Sequence, residues 1–150
     1  MAYGPPPEVF DPLNGEFDFT LDPCAVAATA RCDRFFTPED DGLVQSWAGE
    51  RVFVNPPYGR EIGKWVQKAS RARRNGALVV MLLPARTDTR YFHDYIYGKA
   101  EIRFLRGRVR FLQDGKRSPS GAPFPSMVVV FRPKDVFHWA RTLMNPYKNI

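Results

Sequence analysis

The sequence predicts an α/β protein in which a mixed sheet is flanked by helices. Three observations carry this. Ala77-Leu78-Val79-Val80-Met81-Leu82-Leu83 is an unbroken apolar run, the pattern of a strand buried on both faces. Ahead of it, Ile62, Trp65, Val66, Ala69 and Ala72 recur at helical spacing, with Lys64, Lys68, Arg71, Arg73 and Arg74 largely on other faces. Ahead of that helix, Val52-Phe53-Val54 runs into Asn55-Pro56-Pro57-Tyr58, which neither continues a strand nor begins a regular helix.

In chain order, residues 1–8 read as a loose leader because of Gly4-Pro5-Pro6-Pro7, with Val9 and Phe10 docking after it. Asp11-Pro12-Leu13-Asn14-Gly15 reads as a short helix end and turn. Phe17-Asp18-Phe19-Thr20-Leu21 alternates as a strand, and Asp22-Pro23 stops it. Thr37-Pro38-Glu39-Asp40 has the form of a helix N-cap with proline in first position. The helix over 62–72 ends at Asn75-Gly76. The buried strand stops at Pro84, and Thr87-Asp88-Thr89-Arg90 caps a helix running through Tyr91, Phe92, Tyr95 and Ile96. Ala100 to Leu105 is a further strand, with Gly107 to Leu112 as its continuation or hairpin partner. Gln113 to Pro125 is a flexible loop, Ser126 to Phe131 a last buried strand, and Val136 to Leu143 a closing helix.

At 150 residues the chain is a single domain, 1–150, long enough for a core but short for a complete doubly wound fold. A hydrophobic share of 44% excludes a disordered chain. The excess of 22 Lys and Arg over 16 Asp and Glu, with a pI near 9.6, favours a polyanionic partner. The two cysteines, Cys24 and Cys32, are read as reduced thiols of a cytoplasmic protein, and their spacing without nearby histidines is poor for zinc, so no metal is expected. No apolar run reaches the ~20 residues of a membrane span. His93 and His138 have no partner pattern and are read as structural.

The chemistry concentrates at Asn55-Pro56-Pro57-Tyr58, at the C-terminal end of a buried strand, where open α/β sheets place their ligands. Pro56 and Pro57 have no N–H, so the turn presents carbonyl acceptors. The Asn55 amide oxygen is another acceptor, and the Tyr58 ring offers a flat face beside it. Acceptors next to an aromatic plane suit an exocyclic amino group on a planar ring. Hydrogen bonds accepted from that amine draw its lone pair out of conjugation and make the nitrogen nucleophilic. The alternative is loop punctuation in a proline-rich chain, as Asn145-Pro146-Tyr147 is read.

With this motif the sequence resembles the S-adenosylmethionine-dependent amino-methyltransferases, and its wider pattern resembles the phage-type DNA N6-adenine methyltransferases. The traces run from Glu8-Val9-Phe10 through Phe19-Thr20-Leu21-Asp22-Pro23-Cys24-Ala25, Asp41-Gly42-Leu43 and Trp47 to the catalytic motif. They continue through Leu83-Pro84-Ala85-Arg86-Thr87 and Gly107-Arg108-Val109-Arg110-Phe111 to Arg132. The resemblance implies an abbreviated Rossmann-like class I methyltransferase fold, S-adenosylmethionine as cofactor, DNA as partner and the cytoplasm of a bacterial host as the setting, with a phage or prophage origin. It implies Asn55, Pro56, Pro57 and Tyr58 as catalytic residues. Asp22 would be the first cofactor-binding acid and Asp41 the acid that receives the cofactor's adenine amine. Simple readings as a turn-forming Asp-Pro and a solvated acid stand beside these.

The glycine-rich loop usual after the first strand is missing. Cys24-Ala25-Val26-Ala27-Ala28 has small residues instead, through which the backbone would approach a ligand. Too little chain separates Asp22 from Asn55 for two full αβ units, so the fold must be abbreviated there, and Asp33 and Asp40 are the only guesses for a ribose-binding acid. Arg108, Arg110, Lys116 and Arg117 beside the Gly/Ser/Pro loop are expected to contact DNA phosphates, with a solvated surface as the alternative. An enzyme acting on adenine must flip it from the duplex. Tyr58 would be the stacking platform, with Phe111 or Phe124 as a closing wall. Two other readings stay open: methylation of RNA or of a protein glutamine, and a non-catalytic nucleic-acid-binding module on a degenerate methyltransferase fold.

Overall fold

Side chains alternate between the two faces of a strand, and three long apolar strands divide their residues that way to build two cores. The computed structural model describes residues 3–25, 28–113 and 115–134. Its strands are β1 (Tyr3–Gly4), β2 (Leu21–Asp22), β3 (Arg34–Phe35), β4 (Arg51–Val54), β5 (Leu78–Pro84), β6 (Glu101–Phe104), β7 (Leu112–Gln113), β8 (Lys116–Arg117) and β9 (Ser126–Phe131). Two α-helices, α1 (Pro7–Phe17) and α2 (Ile62–Ala72), lie between them. A 3₁₀ turn at Arg73–Asn75 and a π-helical turn at Phe92–Ile96 complete the set.

Six strands form one sheet in the order β3-β2-β4-β5-β9-β6. Strands β3, β2, β4 and β5 are parallel, and β9 runs antiparallel to both β5 and β6. On one face Val52, Val54, Val79, Met81, Leu83, Met127 and Val129 pack with Ile62, Trp65, Val66 and Ala69 of α2. On the other, Phe53, Val80, Leu82, Val128 and Val130 meet Phe10, Leu13 and Phe17 of α1. The Phe53 ring lies 5.1 Å from that of Phe10, edge to face, and 5.3 Å from that of Phe19. The expected mixed sheet flanked by helices is what the chain forms.

This strand order locates the ligand crevice. After β2 the chain goes to β3 on one side and returns to β4 on the other, so the connection reverses direction between β2 and β4. Open α/β sheets bind ligands outside the strand ends at such a point. Asp22 ends β2, and Asn55 directly follows β4.

Several expectations need correction. The leader is ordered at Tyr3 and Gly4, which pair antiparallel with Gln113 and Leu112, and α1 begins at Pro7. Phe17 belongs to α1 and not to a strand, because Phe10, Leu13 and Phe17 repeat at helical spacing and bury one face. Asp18, at φ 52°, ends the helix, and its N–H donates to the Asn14 carbonyl. No helix follows Thr37. Asp40 instead accepts from the Thr37 N–H and hydroxyl at 2.9 and 3.0 Å, closing a turn, and Asp41 at φ 54° leaves helical geometry. Residues 107–111 are irregular and do not pair with β6, and β7 turns back on β8 instead. The expected closing helix over 136–143, and His138 with it, lie outside the described residues.

Candidate functional site

A cavity of about 800 Å³ opens beyond the C-terminal ends of β2 and β4. Pro23, Cys24, Ala25 and Thr29 line it from the loop after β2, and Thr37, Pro38, Asp41 and Gly42 from the loop after β3. Asn55 to Tyr58 form its floor, and Trp65 reaches it from α2. The opposite wall is Val109, Phe111, Gln113, Ser118 and the run from Ser120 to Phe124. A mostly apolar hollow of this size with a few convergent polar groups has the form of a small-molecule site.

All four residues of the predicted catalytic turn face this cavity. Pro56 is buried, while Tyr58 is 39% exposed and turns its ring toward the opposite wall. The Tyr58 hydroxyl donates to Asn55 Oδ1 at 3.4 Å, a long bond. Burial raises the Tyr58 hydroxyl well above its ordinary pKa, so the ring is neutral at any working pH. Phe111 and Phe124 approach Tyr58 edge to face, with centroids 5.7 and 5.2 Å away. The guanidinium of Arg86 sits 5.7 Å from the Phe124 ring and backs it from outside. Of the two candidate walls the sequence offers for Tyr58, both are present.

The loop after β3 is locked onto the loop after β2. A Cβ on Gly42 would fall 2.0 Å from the Pro23 carbonyl oxygen, so only glycine fits. The Gly42 carbonyl accepts from the buried Trp47 Nε1 at 3.0 Å, a bond worth about 0.5–1.5 kcal/mol. Trp47 in turn stacks on Trp65, centroids 6.1 Å apart. These contacts hold Asp41 at the cavity edge. Its carboxylate accepts from the Leu43 N–H at 3.2 Å and is otherwise exposed.

Asp22 does not line the cavity. It is 5% exposed, and its two carboxylate oxygens accept from the backbone N–H groups of Cys24 and Arg31, each at 3.3 Å. It thereby organises the loop that does line the site. Burial raises its pKa to about 6, against the opposing pull of those two N–H groups and of Arg31. Cys24 lines the cavity as a neutral thiol, since burial and then the Asp22 carboxylate push it up to about 12. Cys32 behaves alike, and both cysteines are free. Val26 and Ala27 lie outside the described residues.

The predicted phosphate contacts divide. Arg108 and Lys116 are exposed, with no side-chain ion pair or hydrogen bond among the described residues. Arg117 is engaged in a two-pronged ion pair with Glu8, one arm at 3.0 Å, and Arg110 donates to the Pro119 carbonyl. The loop these residues border is no loose segment. Ser118 N–H donates to the Phe111 carbonyl and Ala122 N–H to the Val109 carbonyl, at 3.0 and 2.9 Å. A Cβ on Gly121 would lie 2.3 Å from the Arg108 Cβ. Of the two ribose-acid guesses, Asp40 is used by Thr37 and Asp33 does not reach the cavity. His93 Nε2–H donates to the Thr87 carbonyl, 2.7 Å away, in keeping with a structural part.

Sequence reading does not find Thr37, Gln113, Ser118 and Ser120, the polar groups of the cavity wall. They come from segments with no periodicity, and only the loop geometry gathers them. Among the described residues no group of His, Cys, Asp and Glu is arranged to hold a metal ion, and no helix is long and apolar enough to cross a membrane.

The family model for DNA N-6-adenine-methyltransferase (Dam) matches residues 3–149. The chain belongs to the DNA N-6-adenine-methyltransferase family. It is 29% identical over 119 residues to the DNA N-6-adenine-methyltransferase of Haemophilus phage HP1 (strain HP1c1), covering 77% of this chain and 68% of that protein. It is 32% identical over 99 residues to the DNA N-6-adenine-methyltransferase of Escherichia phage T1, covering 65% of this chain and 41% of that one.

Proposed function

We propose that the protein transfers a methyl group from S-adenosylmethionine to N6 of an adenine flipped out of DNA. The observation that carries this reading is the meeting, in one cavity, of the acceptor turn Asn55–Tyr58, the Phe111–Phe124 wall and the exposed Asp41 carboxylate. The base half of the cavity is aromatic and acceptor-rich. The other half has one acid, a threonine on each neighbouring loop and small residues at Cys24 and Ala25, a set that fits a nucleoside carrying an amino-acid tail.

When bound there, S-adenosylmethionine supplies an electrophilic sulfonium methyl group. Asp41 would receive the cofactor's adenine amine, and the backbone of Cys24 and Ala25 would lie along the rest of it. Asp22 acts one step removed, by holding that loop. On the other side, Tyr58 stacks on the target base while Phe111 and Phe124 brace it edge-on. Asn55 Oδ1 and the Pro56 carbonyl accept from the N6 amine and turn its lone pair out of the ring plane. No strong base is required, because the proton leaves after the nitrogen has attacked. Alignment supplies much of the acceleration. The setting we infer is the cytoplasm of a bacterial host, in keeping with the phage relatives.

The test is single-turnover methylation of duplex DNA at saturating cofactor, with the product identified by mass after digestion to nucleosides. Asn55→Ala is expected to lose about 10²–10³ in rate while it still binds S-adenosylmethionine. Tyr58→Ala is expected to be crippled, whereas Tyr58→Phe keeps the ring face and most of the activity. A wild-type rate in Asn55→Ala, or no N6-methyladenine from the wild type, sinks the proposal.

A further inference from the structure

A second, open cleft of about 400 Å³ lies on the far side of the catalytic turn. Arg60 and Arg90 are its charged walls, with Asp94 between, and Tyr91 belongs to it as well. Gly59 and Gly63 keep its floor bare of side chains, with Gly59 at φ 118°, where other residues are strained. Both arginines are exposed, and neither guanidinium is paired among the described residues. The Tyr91 hydroxyl is buried beside Thr89, and the Tyr95 hydroxyl accepts from Gln67 Nε2 at 2.9 Å.

Two unpaired guanidiniums against one carboxylate leave the cleft net positive, which calls for an anion. Two guanidiniums are forked donors suited to phosphate oxygens. The Asp94 carboxylate offsets one of the two positive charges. The remaining single charge matches a phosphodiester better than a free phosphate dianion. Position decides which phosphodiester. Tyr58 lines the main cavity and Gly59 lines the cleft, and consecutive Cα atoms are only about 3.8 Å apart. A base inserted against Tyr58 therefore leaves its own strand at the rim that the cleft opens on. We propose that this cleft binds a backbone phosphate of the DNA strand that carries the target adenine. This rests on the reading of the main cavity as the site of a flipped adenine.

The experiment measures affinity for a short adenine-containing duplex by fluorescence anisotropy over a range of salt concentrations. It also measures methylation rate against DNA concentration and S-adenosylmethionine affinity. In the double variant Arg60→Gln, Arg90→Gln the slope of log affinity against log salt is expected to become shallower by about 0.9, the share of one neutralised phosphate. KM for DNA rises, while kcat at saturating DNA and cofactor affinity stay near wild type. Arg60→Lys, Arg90→Lys keeps the wild-type slope. The double variant Arg71→Gln, Arg74→Gln makes the same charge change at the other end of α2 and is expected to leave the slope unchanged.

A wild-type protein that methylates DNA, with a double variant of unchanged slope and affinity, overturns the cleft and leaves the main reading intact. Inorganic phosphate binding that disappears in that variant with DNA affinity unchanged likewise overturns it, in favour of a free-anion site. A folded wild type that neither binds nor methylates the duplex overturns both.

Discussion

Gly42 and Pro23, on loops that follow two different strands, are in backbone contact: a Cβ on the glycine would lie 2.0 Å from the proline's carbonyl oxygen. The contact ties together the two loops that would share the cofactor. Gly42→Ala is therefore expected to cost about 1–3 kcal/mol of stability through overpacking and to weaken S-adenosylmethionine binding as the loops part. Gly15→Ala, where a Cβ meets nothing within 4 Å, is the control and should be neutral or stabilising. Urea denaturation and a cofactor titration on both variants measure this. Equal stability and equal affinity in Gly42→Ala would show that the loops separate at no cost.

The buried Asp22 makes stability depend on pH in an uncommon direction for a carboxylate. Its pKa in the folded chain, about 6, lies above the starting value of 3.8, so the folded protein holds a proton that the unfolded chain has released. Stability from this group is present below about pH 4 and falls as the pH rises to about 6, by an amount on the order of 2–3 kcal/mol. Asp22→Asn removes the titration. The stability difference between wild type and variant is expected to shift against the wild type between about pH 4 and 6.5, then stay constant. Parallel pH profiles for the two proteins in denaturant melts would place the ionisation elsewhere.

Arg108 and Lys116 face solvent, whereas Arg110 and Arg117 are already engaged within the protein. Neutralising the first two to Gln is expected to flatten the salt dependence of DNA binding by up to about 0.9 for each phosphate they neutralise. Arg117→Gln acts differently. It frees Glu8 and loosens the pairing of β8 and β7 against α1, so its main effect is expected in proteolytic sensitivity of the 112–118 hairpin. Salt titrations and limited proteolysis separate the two outcomes, and an equal salt effect from all three substitutions would refute the division.

How much of the fold and site is legible in the sequence depends on how local each cause is. Strands β4, β5 and β9 and helix α2 follow from apolar runs and helical spacing, both properties of neighbouring residues. The Asn55–Tyr58 turn is legible because proline writes its constraint into the sequence directly. Helix α1 is not, although Phe10, Leu13 and Phe17 carry its period, because Pro12 and Gly15 argue locally against a helix and only burial against Phe53 overrides them. The Glu8–Arg117 ion pair joins residues 109 apart and leaves no local trace. The Gly42–Pro23 contact is equally silent, since a tight approach between two loops is a fact of tertiary structure. In the site, the grouping of Tyr58 with Phe111 and Phe124 follows from residue type. Asp22, expected to touch the cofactor itself, is buried outside the cavity lining and accepts from the Cys24 and Arg31 amides.

The place of β9 between β5 and β6 sets an order of events during synthesis. Strands β5 and β6 leave the ribosome first, and each keeps a bare edge until Ser126–Phe131 slots between them. The ladder then closes through pairings that span tens of residues, the kind that form slowly. Until that moment the nascent chain displays the apolar border of β5, which another chain can occupy. The strand that finishes the sheet is thus also its safeguard against self-association. A ribosome stalled before residue 126 would hold out a sticky intermediate.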